Sequence, residues 1–124
     1  TRYTDYALLE EVLPKLQAIA AKQYVPDTKT VLKTVTEFQS MDEVPGTAAL
    51  LQLVQEAAAE CNLPQPTAKA VGGGSDSAYA TVAGVPTICA LGVQGVRNHT
   101  AEEFAVVDTL FSRCKLFATI MLNI

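Results

Sequence analysis

The stretch VGGGSDSAYATVAGVPTICALGVQGVRNHTAEE, residues 71–103, holds three consecutive glycines, an apolar run of strand length and the chain's one histidine. Ala68–Val71 predicts a short strand ahead of the glycines, and Ser75–Ala83 a short helix behind them, closed by Gly84. Val85–Leu91 reads as a strand buried on both faces, because its apolar residues run on without alternation. A strand, a glycine turn and a helix in that order leave free backbone N–H groups facing whatever occupies the turn, and the helix dipole adds positive potential there. An anion or a polarised carbonyl would suit such a turn; so would no ligand, since three glycines also make a plain tight turn. The glycine spacing matches neither a dinucleotide fingerprint nor a phosphate loop ending in Lys-Ser/Thr. Ser75 and Asp76 are assigned to shaping the turn and capping the helix.

His99 is followed by Thr100-Ala101-Glu102-Glu103, the pattern of a capping box in which the Thr100 hydroxyl and the Glu103 carboxylate satisfy each other's backbone donors. That places the imidazole at the rim of a fixed turn. A neutral imidazole there can serve as a zinc ligand or a general base, or be purely structural. By itself it cannot build a metal site, which takes three or four ligands.

Outward from this stretch, apolar residues at Leu9, Val12, Leu13, Leu16, Ile19 and Ala20 predict an amphipathic helix from Thr4 to Lys22, kinked near Glu10–Pro14 by the interior proline. Val25-Pro26-Asp27 predicts a turn, and the β-branched segment Thr28–Phe38 a strand. Asp42–Gly46 reads as a connector, and Thr47 as the cap of a second helix with a stripe of Leu50, Leu51, Val54, Ala57, Ala58 and Cys61. Asn62–Pro66 ends it. Asp108 is read as the cap of a last helix whose Leu110, Cys114, Phe117, Met121 and Ile124 recur at helical intervals. Strands alternating with helices predict an α/β fold, layered, with a partly parallel sheet and flanking helices.

The chain's 124 residues suit one domain or pieces of two, and 49% apolar against 18% charged residues excludes a disordered polar chain. A net charge of −4 without a basic stripe argues against nucleic acid, and the lack of a long apolar run argues against a membrane span. Cys61, Cys89 and Cys114 lie among apolar residues and read as small buried hydrophobes, favouring a reducing, cytoplasmic setting. The chain begins at Thr1 without a methionine, so a fragment of a longer protein is expected.

GGGSDSAYATVAGVPTICALG and HTAEEFAVVDTL together resemble the C-terminal signature of the dinuclear-zinc peptidase and deacylase family, the glutamate carboxypeptidase, aminoacylase and acetylornithine deacetylase group. The similarity is strong across residues 72–100, and the part of it shared with glutamate carboxypeptidase is clearest in GGGSDSAYA and the VPTIC strand after it. It implies that residues 1–41 are the C-terminal half of a lid, or dimerisation, domain, and residues 42–124 the C-terminal third of a catalytic domain. It further implies that His99 is the last protein ligand of a zinc pair. Gly73 and Gly74 would form the turn whose backbone contacts substrate, and Arg2 would be the lid arginine that pairs with a substrate carboxylate. Read without the resemblance, Arg2 is equally a solvated charge at a strand end.

The implied activity is hydrolysis of an amide bond in N-acyl amino acids or small peptides by a homodimer. The family's other metal ligands and its Glu-Glu pair have no counterpart here, since Glu102-Glu103 follows the histidine. This chain alone is therefore expected to hold no zinc and to be inactive. Two other readings stay open: a non-catalytic domain of the same fold that binds a small anionic ligand, and an interaction piece that docks through Thr28–Phe38.

Overall fold

The computed structural model describes residues 3, 5 and 7–124. It contains α1 (Ala7–Ala20), α2 (Thr47–Glu60), α3 (Ser77–Val82), β1 (Gly95–Val96), β2 (Phe104–Ala105) and α4 (Val107–Leu122). Two compact units divide them: Thr1–Glu43 with Gly72–Val85, and Val44–Val71 with Pro86–Ile124.

In the first unit, Asp5 Oδ1 accepts a hydrogen bond from Ala7 N (2.8 Å) at the start of α1. The helix runs through Pro14 to Ala20. Of its expected apolar face Leu9, Val12, Leu13, Leu16 and Ala20 are half-buried, while Ile19 is exposed. Lys15 and Glu11, one turn apart, form a solvent-facing ion pair. The hydrogen bond and then the charge of Lys15 hold the Glu11 carboxyl below its ordinary value. The Val25–Asp27 turn is present, with Asp27 at φ 60 and the Thr28 hydroxyl donating to the Val25 carbonyl at 2.8 Å.

Thr28–Phe38 was expected to be a strand and carries no ladder; among the described residues the only sheet is the two-stranded β1–β2. The same holds for Ala68–Val71 and for Val85–Leu91. β-propensity describes a fit to a half-buried pleated surface, and it becomes a strand only where a neighbouring strand accepts the pairing. In Val85–Leu91 the backbone also breaks step, because Ala90 lies at φ 64, outside the strand region. Nor is that run buried on both faces, since Val85, Cys89 and Ala90 are exposed. Helices with an antiparallel pair are compatible with an α/β class, and the layered parallel sheet is not among the described residues.

The second unit is built on α2 against α4. Val54, Ala57 and Ala58 of α2 and Leu116 and Ile120 of α4 form its core, with Leu53, Leu63, Ile88 and Leu91 packed around them. Two successive alanines on α2 let α4 come close, and the burial of these apolar side chains is the main driving term. The α2 stripe read from the sequence is the buried one, but its cap differs. Gly46, at φ 99, takes the N-cap position, and the Thr47 hydroxyl accepts from Val44 N at 3.2 Å. At the other end Asn62, at φ 56, allows Leu63 N to reach the Ala58 carbonyl (2.8 Å), the six-to-one bond of a left-handed helix stop. Leu63 then packs on the core.

On α4 the expected stripe is the wrong one. Leu110, Phe117, Met121 and Ile124 are exposed, Ile124 to 86%, as is Cys114, whereas Leu116 and Ile120 are buried. The helix is apolar over more than one face, so spacing alone selects the greasier stripe rather than the seated one. Polar contacts mark the seated side: the Thr119 hydroxyl meets Cys61 Sγ at 3.3 Å, and Asn123 Nδ2 donates to Glu60 Oε2 at 3.3 Å. The N-cap is Val106, not Asp108, which lies in the first turn. None of the three cysteines is in a disulfide; Cys61 is buried as expected, but Cys89 and Cys114 are exposed.

Candidate functional site

Of the expected site residues, Gly73 and Gly74 fall in the first unit and His99 in the second. Arg2 lies outside the described residues. Gly73 and Gly74 belong to the first unit, in the segment leading into α3. Asp76 occupies the N-cap of α3 but makes no side-chain cap bond. The cap bond comes instead from the Ser75 hydroxyl, which accepts from Ser77 N at 3.2 Å. At the far end Gly84, at φ 79, lets Val85 N bond to the Ala80 carbonyl at 3.0 Å, so Gly84 closes α3 as its sequence position implied.

The two glycines differ in their surroundings. A Cβ built on Gly73 meets nothing within 4 Å, whereas one on Gly74 would stand 3.1 Å from Phe38 Cγ and 3.3 Å from Cδ1. Phe38 is itself anchored, because the Tyr3 hydroxyl donates to its carbonyl. Phe38 is exposed and its ring must give by a few tenths of an ångström, so Gly74→Val is expected to cost about 1 kcal/mol more than Gly73→Val. Gly73→Val should stay within about 1 kcal/mol. Urea unfolding of the two variants side by side checks this, and equal losses would contradict the contact.

His99 sits in the second unit, in the loop of a hairpin. Gly95 pairs with Ala105 and Val96 with Phe104, so the loop runs from Arg97 to Glu103. Two of its residues, Arg97 at φ 61 and His99 at φ 66, adopt the left-handed conformation, uncommon without glycine and costing about 1–2 kcal/mol each. Local hydrogen bonds hold them there. The Thr100 hydroxyl donates to the Arg97 carbonyl at 2.8 Å, Glu103 N donates to the Thr100 carbonyl at 3.2 Å, and the Glu103 carboxylate accepts from His99 N at 3.1 Å.

The capping box is thus replaced by a tighter arrangement. Thr100 turns back to Arg97, no helix starts there, and the donor that Glu103 satisfies is that of His99 itself. Thr-x-x-Glu signalled the reach of the carboxylate but not its target. The base of the hairpin is tied to α4: Val106 N donates to the Gln94 carbonyl at 2.9 Å, and Gln94 N to the Thr109 hydroxyl at 2.9 Å. This Gln94–Thr109 link escaped sequence reasoning, because a threonine in a helix's first turn carries no signal of a partner so far along the chain. The result is an exposed imidazole on a loop fixed at its tip and at its base.

The donor present fits zinc in kind, since a neutral imidazole is a borderline-soft ligand. In number the donors do not make a site: among the described residues no three of His, Cys, Asp and Glu are grouped so that they could hold a metal ion.

Residues 14–123 match the sequence profile of peptidase family M20/M25/M40. The chain belongs to that family. Among curated proteins nothing matches the chain, and among solved structures nothing does either. The M20 match runs from Pro14, midway along α1, to just past α4 and includes both the glycine turn and His99, so both lie within the family's shared sequence. Membership makes hydrolysis of the metallopeptidase kind the activity to which the chain pertains. No helix among the described residues is long and apolar enough to cross a membrane.

Proposed function

We propose that the chain is the C-terminal part of a zinc-dependent amidohydrolase or exopeptidase, of carboxypeptidase type, that cleaves an amide bond in N-acyl amino acids or small peptides. The observation carrying this reading is that the sole histidine lies inside the stretch matched to the M20 family, on a loop whose backbone is pinned. On this reading His99 supplies one ligand, and the remaining donors lie on polypeptide beyond these 124 residues. The isolated chain then has no activity of its own. Zinc in such sites polarises a carbonyl and lowers the pKa of a bound water.

This chain's own residues bind and orient. The guanidinium of Arg2 pairs with the free carboxylate of the substrate, two donors to two oxygens. The backbone of Gly73 and Gly74 lies along the substrate, where side chains would obstruct it. Thr28–Phe38 and Val85–Leu91 find ladder partners in the intact domains, the lid ending near residue 41 and the catalytic domain resuming at 42, in a cytoplasmic homodimer.

The full-length protein is expected to release amino acid from N-acyl amino acids, to lose that activity on chelation, and to regain it with zinc. Turnover indifferent to chelator overturns the proposal. Arg2→Ala should lower kcat/KM for substrates with a free carboxylate by about 10–100-fold, the worth of hydrogen bonds between charged groups. Amidated analogues should change little. Equal losses on both substrate types would remove Arg2 from the carboxylate.

A further inference from the structure

We infer that Glu103 is a positioning residue for His99: its carboxylate fixes the backbone from which the imidazole is presented. The role of His99 as a metal ligand is taken from the proposed function, and the inference rests on that reading. The geometry is local. Pairing of Val96 with Phe104 sets the two ends of the loop. Within it, Thr100 bonds back to Arg97 through its hydroxyl and its N–H, and Glu103 N bonds to the Thr100 carbonyl. The Glu103 carboxylate is the side chain that spans the tip, taking the His99 N–H at 3.1 Å.

Turning φ at His99, which stands at 66, leaves that N–H in place but carries Glu103, further along the chain, away from it, so the bond closes a ring that holds φ. A histidine released from this acceptor relaxes toward negative φ, the favoured side for any L-residue, and the Cα–Cβ direction swings with it. The carboxylate therefore acts on where the ring points without touching the ring. A carboxylate acceptor is also stronger than a neutral one, which suits it to holding an unfavourable φ.

The test uses the full-length protein with Glu103→Ala, Glu103→Gln and His99→Ala. Three readouts are taken: zinc affinity by competition with a chromophoric chelator, amide exchange at His99, and thermal unfolding of the metal-free protein. Glu103→Ala is expected to weaken zinc binding about 10–100-fold, the range for removing a group that orients a ligand. It should also speed His99 amide exchange while leaving the unfolding temperature of the metal-free protein near its starting value. Glu103→Gln, which keeps an oxygen acceptor, should recover most of both losses. A merely structural role would move the unfolding temperature and not the zinc affinity of the folded protein. Wild-type zinc affinity in Glu103→Ala, with zinc lost in His99→Ala, overturns this inference and leaves the proposed function standing. Zinc held at wild-type affinity in His99→Ala overturns both.

Discussion

His99→Ala, in the full-length protein, is expected to lower zinc affinity by more than about 100-fold and to take catalytic turnover with it. The magnitude follows from comparison: removing a group that only orients a metal ligand costs about 10–100-fold, and removing the ligand itself must cost more. Alanine also relieves nothing that could offset the loss, because the ring is exposed and its removal leaves no cavity. The αL position at φ 66 remains strained for alanine, so a small loss of stability accompanies the change. Metal content by elemental analysis and kcat/KM on an N-acyl amino acid, measured on the same preparation, check the result. Full activity with all metal retained would refute the ligand role.

Leu116→Ala should have the largest effect on folding. Leu116 is fully buried between α2 and α4 and is, with Val54, the largest side chain so enclosed. Truncation removes its transfer free energy and leaves a cavity, costing about 2–5 kcal/mol. Ala57 and Ala58 opposite are too small to move in and fill it, which favours the upper part of that range. Met121, on the same helix but 73% exposed, is the control, and Met121→Ala should stay within about 0.5 kcal/mol. Urea unfolding followed by helical circular dichroism separates them. Similar losses for the two would mean that α4 seats on its other face, the one that apolar spacing alone selects.

That contrast shows what a sequence can and cannot state about this fold. The seat of α2 was legible because its apolar residues form a single stripe that includes Val54, Ala57 and Ala58, with polar residues opposite. The seat of α4 was not, because Phe111, Phe117 and Met121 are as apolar as Leu116 and Ile120, and only the facing surface of α2 shows which side is covered. Helix stops at Asn62 and Gly84 follow from local backbone chemistry and were visible in Asn62–Pro66 and in Gly84. Strand ladders are not local. Thr28–Phe38 and Val85–Leu91 have the composition of strands, but composition names no partner, and the pairing seen among the described residues joins residues 95–96 to 104–105, short segments without a clear alternating pattern.

The site was legible to a similar depth. His99 and the reach of Glu103 could be read from Thr-x-x-Glu. The left-handed turn at Arg97 and His99, which gives the Glu103 carboxylate the His99 N–H while that of Thr100 goes to the Arg97 carbonyl, depends on how β1 and β2 close the loop. In the glycine turn, sequence alone could not tell which glycine has a neighbour. Phe38 comes from a distant part of the first unit and abuts Gly74 alone of the two.

The central claim is that the His99 ring binds zinc in the intact protein, and an anomalous-difference map of zinc-loaded full-length crystals tests it most directly. A zinc peak is expected about 2.0–2.1 Å from an imidazole nitrogen of His99, the ordinary zinc–histidine distance. A zinc peak surrounded wholly by other side chains, with the His99 ring facing solvent, would contradict it.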